Sequence, residues 1–233
     1  MCYRSVLTTP KQAVIEWFNA VGDDVPEQPP RRNIRPTQPL VAVRSANGQR
    51  RLSLLRWAFT PHWYKALNDG PPIMNARAET IAAKPAFADA VRHRRCLIPA
   101  DGYYEWTSSE DDGGKDPWFI HAAGGQVMGF AGIWQAWRSP DGVLYEGCAI
   151  VTTAANARMS NLHARMPLVI SPENYALWLG EAGHGAARLM QPGAEELLDY
   201  HRVDRAINGA KTDDRDYTRP LIANGNPRAT AYL

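Results

Sequence analysis

Between residues 95 and 170 the chain reads as a succession of apolar runs cut by turns. "RCLIPADGYYEWTS", "PWFIHAA", "QVMGFAGIWQAWRS", "YEGCAIVTTAA" and "RMPLVI" are strand candidates, with "SEDDGGKD" and "SPDG" as turns between them. Upstream, "LVAVRS" and "RRLSLLRWAFT" flank "ANGQ", an Asn-Gly hairpin signal. Strands meeting across several hairpins, with helices to the side, predict an α+β fold. We expect a curved or barrel-like, mainly antiparallel sheet with peripheral helices, in a single domain over residues 1–233.

The helices are fewer. "PKQAVIEWFNAV" at 10–21 carries apolar residues at helical spacing, with Pro10 at a natural start. "ETIAAKPAFADAVRHR" reads as a helix despite Pro85, and "SPENYALWLG" opens with a strong helix start. "DDVPEQPPRRNIRPTQPL" reads as an ordered loop, "PHWYKALNDGPPIMNARAET" as another. From about Gly193 the pattern gives a short helix and then an irregular tail.

Apolar residues make up 45% and charged residues 21%, an ordinary globular balance. No apolar run reaches the length needed to cross a bilayer, and no basic-then-apolar leader precedes the first helix. The three cysteines, Cys2, Cys96 and Cys148, form no CxxC pair, which argues against a disulfide framework or a structural zinc site. HExxH spacing is absent, so no metal site is expected. Net charge is only +2, but most of the basic residues are arginines, suited to gripping phosphate, and eight tryptophans supply stacking surface. For most of those rings the core is the better expectation.

Four residues stand out as chemistry. Cys2 becomes the first residue if Met1 is removed. The product is a 1,2-aminothiol whose α-amine titrates near about 8, so part of it is neutral at pH 7. Such an amine attacks an aldehyde and the thiol closes a thiazolidine ring; on position alone, an inert frayed terminus is the commoner outcome. Asn75 in "PPIMNARAET" is either a helix cap or a positioning amide. Glu105 in "IPADGYYEW" shares a strand face with Tyr103; it is either a solvent-facing residue or a carboxylate among aromatics with a raised pKa. His163 in "NLHARMPLVI" is either a structural histidine or a proton donor. His62, His93, His121, His184 and His201 have no comparable company.

"MCYR" at the start, "NARAET" at 75–80, "IPADGYYEW" at 98–106 and "HARMPLVI" at 163–170 together resemble the SRAP (SOS-response-associated peptidase) family. "NIRPTQPL" and "RWAFTPHW" resemble two further loops of that family. The resemblance spans nearly the whole chain and is weakest over the last forty or so residues. It implies covalent capture of abasic sites in single-stranded DNA in the DNA damage response. Cys2 would be the nucleophile, Glu105 the acid/base carboxylate, Asn75 the positioning amide and His163 the proton donor to the sugar. Arg4 and Arg77 match phosphate-contacting arginines, and Arg35, Arg56 and Arg165 extend that set. Trp57, Trp63 and Trp106 are the candidates to stack on bases. The chain departs from the family with Tyr3 for a glycine, Arg35 for an alanine, and Trp57-Ala58 for Trp-Gly. The expected protein is a cytoplasmic, DNA-associated monomer with no cofactor and no membrane partner. Self-processing and lyase activity accompany this reading. A cysteine peptidase using Cys2 and His163, or a non-covalent reader of damaged or modified DNA, stands as the alternative.

Overall fold

A computed structural model describes residues 3–67, 69–212 and 215–221. The chain opens on β1 (Ser5–Leu7), wholly buried, and α1 (Lys11–Phe18), which turns Val14 and Phe18 inward. Pro10 precedes that helix as expected, and Asn19 ends it in the left-handed region (φ 48°). After the two-residue β2 (Ala20–Val21), the proline-rich stretch holds a strand that the loop expectation missed. This is β3 (Arg31–Ile34), paired antiparallel to β1. β4 (Pro39–Ala46) and β5 (Gln49–Arg56) form the hairpin that Asn-Gly signals. Asn47 (φ 52°) and Gly48 (φ 75°) supply the two left-handed residues that such a tight turn needs.

A three-residue strand, β6 (Asn75–Arg77), ends the second long loop. The helix expected over 79–94 is shorter. Turns run to Lys84, and α2 (Pro85–His93) starts at the proline, whose missing N–H costs nothing in a first turn. The run expected as one strand is two, β7 (Arg95–Ala100) and β8 (Gly102–Ser108), parted at Asp101. β9 (Lys115–Ala122), β10 (Met128–Arg138) and β11 (Leu144–Ala154) follow as read. A single turn, α3 (Ala157–Ser160), is capped by Asn156, which accepts from Met159 N at 2.9 Å. "RMPLVI" splits into β12 (Arg165–Pro167) and β13 (Val169–Ile170) because they pair different partners, β11 and β10. After α4 (Tyr175–Leu179) a single 3-10 turn at Glu195–Leu197 meets the expected short helix, and the expectation of an irregular tail is corrected: Leu198–Arg202 forms β14, laid antiparallel along β9.

The strands make two sheets. One runs β14-β9-β8-β1-β3; the other runs β12-β11-β10-β7-β4-β5-β2. In the second, β5 reaches β11 through Arg56 and Gly147, so β4, β5, β11, β10 and β7 close into a barrel. Closure needs a bare backbone: a Cβ on Gly147 would lie 2.2 Å from the carbonyl oxygen of Ala58. The barrel interior holds Leu40, Leu55, Ile98, Phe130 and Ile150, all fully buried on one face of their strands. β7 and β8 carry the chain from the barrel into the other sheet. The fold is α+β, with a barrel-like, mainly antiparallel sheet and peripheral helices.

Candidate active site

The sheet outside the barrel places the carboxylate. β8 lies between β9, where Glu105 faces Trp118, and β1, where Tyr103 faces Ser5. Alternation sends Tyr104 into a small apolar cluster with Val6, Phe119 and Val203. It sends Tyr103 and Glu105 to the opposite, barrel-facing side, and Glu105 is 5% exposed there. The reading of Glu105 as a solvent-facing strand residue is thereby excluded. Burial pushes its carboxyl up from the ordinary range, while the charge of nearby His163 pulls the other way.

β1 brings the start of the chain to this strand. Tyr104 N donates to Arg4 O at 3.0 Å, one step beyond the Ser5–Tyr103 pair. The clamp on β1 is Asp101, at the β7–β8 corner. Its carboxylate accepts from Thr8 N (2.5 Å), Thr8 Oγ1 (2.7 Å), Thr9 N (2.9 Å) and Thr9 Oγ1 (2.5 Å). Asp101 N in turn donates to Val6 O at 2.8 Å. Sequence reading missed this residue, because "ADG" lies inside a run that reads as one strand. Asp101→Ala orphans two partly buried backbone donors at about 1–3 kcal/mol each. We expect a Tm lower by about 5–10 °C, checked by calorimetry.

β6 and the segment before β12 deliver the other two residues. β6 runs parallel to β11, with Asn75 beside Ile150 and Arg77 beside Thr152. Just before it, Met74 O accepts from Ile150 N at 2.9 Å and from Trp57 Nε1 at 3.0 Å, which fixes where Asn75 starts. On the other edge β12 pairs Thr152 with Pro167 and Ala154 with Arg165. His163 stands two residues ahead of Arg165; its main-chain N–H donates to Met159 O at 3.1 Å. Its Nδ1 lies 2.9 Å from Arg165 N and 3.2 Å from Arg165 O. Asn75 and His163 thus approach β11 from opposite edges, and His163 is near enough to Glu105 for its charge to act on the carboxyl.

The remaining predicted residues divide. Cys2 lies outside the described residues. Arg4 is half-buried: its guanidinium donates to Asn33 Oδ1 at 2.7 Å and sits over the Trp106 ring, 5.6 Å from the centroid. Burial and the neighbouring charge of Arg35 lower its pKa. Arg35 lies in the turn after β3, its side chain in no ion pair among the described residues. Trp106 Nε1 donates to Asn208 Oδ1 at 2.7 Å. Arg77 and Trp63 are exposed, Trp63 by 49%, with His62 packed edge-on against it. One expectation is corrected. Trp57 is fully buried in the barrel core, so its ring has no face left for a base. Arg165 holds both oxygens of Glu79, at 2.7 and 2.9 Å. Among the described residues no group of three or more His, Cys, Asp or Glu is gathered as for a metal ion. No helix there is long and apolar enough to cross a membrane.

Comparison with known proteins shows the family and the fold. The family model described as SOS response associated peptidase (SRAP) matches residues 1–210. The abasic site processing protein YoqW of Bacillus subtilis is 33% identical over 218 residues, covering 91% of this chain and 96% of that protein. The abasic site processing protein YedK of Escherichia coli is 31% identical over 205 residues, covering 85% and 89%. A crystal structure of a Bacteroides thetaiotaomicron protein superposes with a TM-score of 0.83 at 20% identity, covering 95% of this chain and all of that one, which shows the shared fold. With that family model matching residues 1–210 and a relative 33% identical over 91% of the chain, the chain belongs to the SRAP family.

Proposed function

We propose that the protein captures abasic sites in single-stranded DNA by a covalent thiazolidine link through Cys2. Removal of Met1, by a methionine aminopeptidase or by the chain itself, exposes the α-amine. His163 donates a proton to the ring oxygen of the abasic sugar, and the lactol opens to its aldehyde. Glu105 takes a proton from the amine, which attacks the aldehyde carbon; the carbinolamine loses water to give an imine. Asn75 holds amine and aldehyde in register. The Cys2 sulfur then bonds to the imine carbon and its proton passes to nitrogen, so the net change is loss of one water. An open imine also permits β-elimination and strand scission, which ring closure suppresses.

The observation that carries this reading is the buried carboxylate of Glu105, within reach of the charge of His163, on a strand hydrogen-bonded to the N-terminal strand. A buried acid with a raised pKa beside a histidine is suited to moving protons near neutral pH. Relatives named for abasic site processing support the substrate. Arg4, Arg77 and Arg35 contact phosphates, and Trp63 and Trp106 stack on bases beside the lesion. The protein acts as a monomer in the cytoplasm. The test is incubation with a single-stranded oligonucleotide carrying one abasic site. A denaturing gel is expected to show a one-to-one adduct, with the mass of the Met-free chain plus DNA less one water. No adduct from Met-free protein overturns the reading.

A further inference from the structure

We propose that Asp101 is a positioning residue for covalent capture. Its carboxylate fixes the register of the N-terminal strand on the Glu105 strand, and so sets where the Cys2 amine meets the aldehyde. The inference rests on the capture reading, in which that amine is the nucleophile.

β1 carries little of its own to select a register. It is three residues long and pairs with β8 at two positions, Ser5 with Tyr103 and Val6 with Gly102. On its other edge the pairing with β3 shifts register between Ser5 and Leu7. Where one face of a strand is buried and the other wet, the apolar pattern selects the pairing. β1 lacks that contrast, because Ser5, Val6 and Leu7 are all buried. A slip by one residue would turn each side chain to the opposite face and move the chain by about 3.3 Å. Reacting atoms must be held about 3–3.5 Å apart, so a slip of that size takes an amine out of reach. Cys2 stands two residues ahead of Arg4, a span of at most about 7 Å, and an error in β1 is carried straight to it.

Asp101 removes the choice. Its N–H donates to Val6 O, its Oδ2 accepts from Thr8 N, Thr8 Oγ1 and Thr9 N, and its Oδ1 accepts from Thr9 Oγ1. Only one register offers that set. A slip one way would put Leu7, with no hydroxyl, in the place of Thr8. A slip the other way would put Pro10, with neither N–H nor hydroxyl, in the place of Thr9. The corner that carries Asp101 is itself fixed. β7 is buried from Cys96 to Ala100 on one side of it. On the other side Gly102 packs its bare backbone on β9: a Cβ there would lie 2.4 Å from the Phe119 ring and 2.5 Å from Ile120 O. The role is one of shape and not of charge. Asparagine can keep the pattern, its Oδ1 taking the three bonds of the Asp101 Oδ2 and its Nδ2 donating to Thr9 Oγ1, which turns from donor to acceptor. Alanine removes all four side-chain bonds.

The test compares Met-free wild type, Asp101→Ala and Asp101→Asn, each below its melting temperature, in three measurements. These are single-turnover capture of the abasic oligonucleotide, reaction with propanal as a small free aldehyde read by mass, and hydrogen exchange of the Ser5–Leu7 amides in DNA-free protein. Asp101→Ala is expected to lower the capture rate at saturating DNA about 10- to 100-fold, the effect of a displacement of about 1 Å. The half-saturating concentration stays at the wild-type value, and Asp101→Asn recovers most of the rate. The propanal rate is the same in all three proteins, because a free aldehyde reaches the amine wherever the strand holds it. The Ser5–Leu7 amides exchange faster in Asp101→Ala alone. Should Asp101→Ala fail to fold, Thr8→Val with Thr9→Val, which deletes the two hydroxyl bonds and keeps the two main-chain ones, is expected to lower the saturated rate in the same way. A wild-type saturated rate in the variant that folds overturns the proposal. So does a loss in Asp101→Asn as large as in Asp101→Ala, which would make the charge the cause, and so does an equal loss with propanal, which would place the defect in the amine itself. If wild-type protein forms no adduct with DNA, the capture reading fails, and the exchange result still decides whether Asp101 fixes β1.

Discussion

Replacing Cys2 with serine is expected to abolish the adduct that survives a denaturing gel without reductant, and to leave an imine that borohydride traps. The variant keeps an N-terminal amine with the same reach, so attack on the aldehyde continues. It loses the atom that closes the ring. A thiol titrating near about 8.5 supplies a useful fraction of strongly nucleophilic thiolate at neutral pH, and a serine hydroxyl supplies none. A drop in reductant-free adduct of at least about 100-fold, roughly 3 kcal/mol in the locked state, is the expected scale. Strand-scission product should rise in step, because the imine stays open to elimination. The same gel-stable yield from the serine variant without reductant would show that sulfur takes no part.

The Glu105 strand also orders the described residues that follow Cys2. The Asp101 clamp on Thr8 and Thr9, and the pairing of β1 with β8, aim the start of the chain along the Glu105 strand. An end that would otherwise fray is held by a carboxylate almost a hundred residues away in sequence, which local pattern does not show. The legible parts were those with local causes. The Asn47-Gly48 turn announced its hairpin, and the alternating runs announced β9, β10 and β11. The division of β7 from β8 was hidden because apolar runs flank the corner at Asp101 on both sides, and the passage from one sheet to the other is set by tertiary pairing. β14 was hidden because "LDYHR" is polar, and the partner that makes it a strand is β9. Glu105 was legible as a carboxylate among aromatic residues. Trp57 was misread because an indole looks the same in sequence whether it faces DNA or the protein. The deciding partner, Met74 O, is set by tertiary structure.

Glu105→Gln is the second large effect, and it has opposite signs on rate and stability. Glutamine keeps the shape of the protonated acid but accepts no proton. Loss of general base catalysis lowers the rate of imine formation by about 10²–10⁴-fold. In the wild type the rate should rise with pH as Glu105 ionises, with its inflection above the ordinary carboxylate value of 4.5, because burial disfavours the charged form. The glutamine variant should lack that limb. Stability runs the other way. A carboxyl whose folded pKa is raised favours folding fully below its unfolded pKa, and that contribution is lost as pH rises through the folded value. The wild type therefore loses stability over a window starting near 4.5 and ending above it, while the glutamine variant does not. The two melting temperatures should converge in acid and separate toward neutrality, with the variant the more stable. A variant that is slower and also less stable at pH 7 would mean that the ionised carboxylate is a structural partner instead. A variant with unchanged rate would move the base elsewhere. The combination of slow and stable is what a buried acid kept for proton transfer must give, since the burial that tunes it also costs the fold.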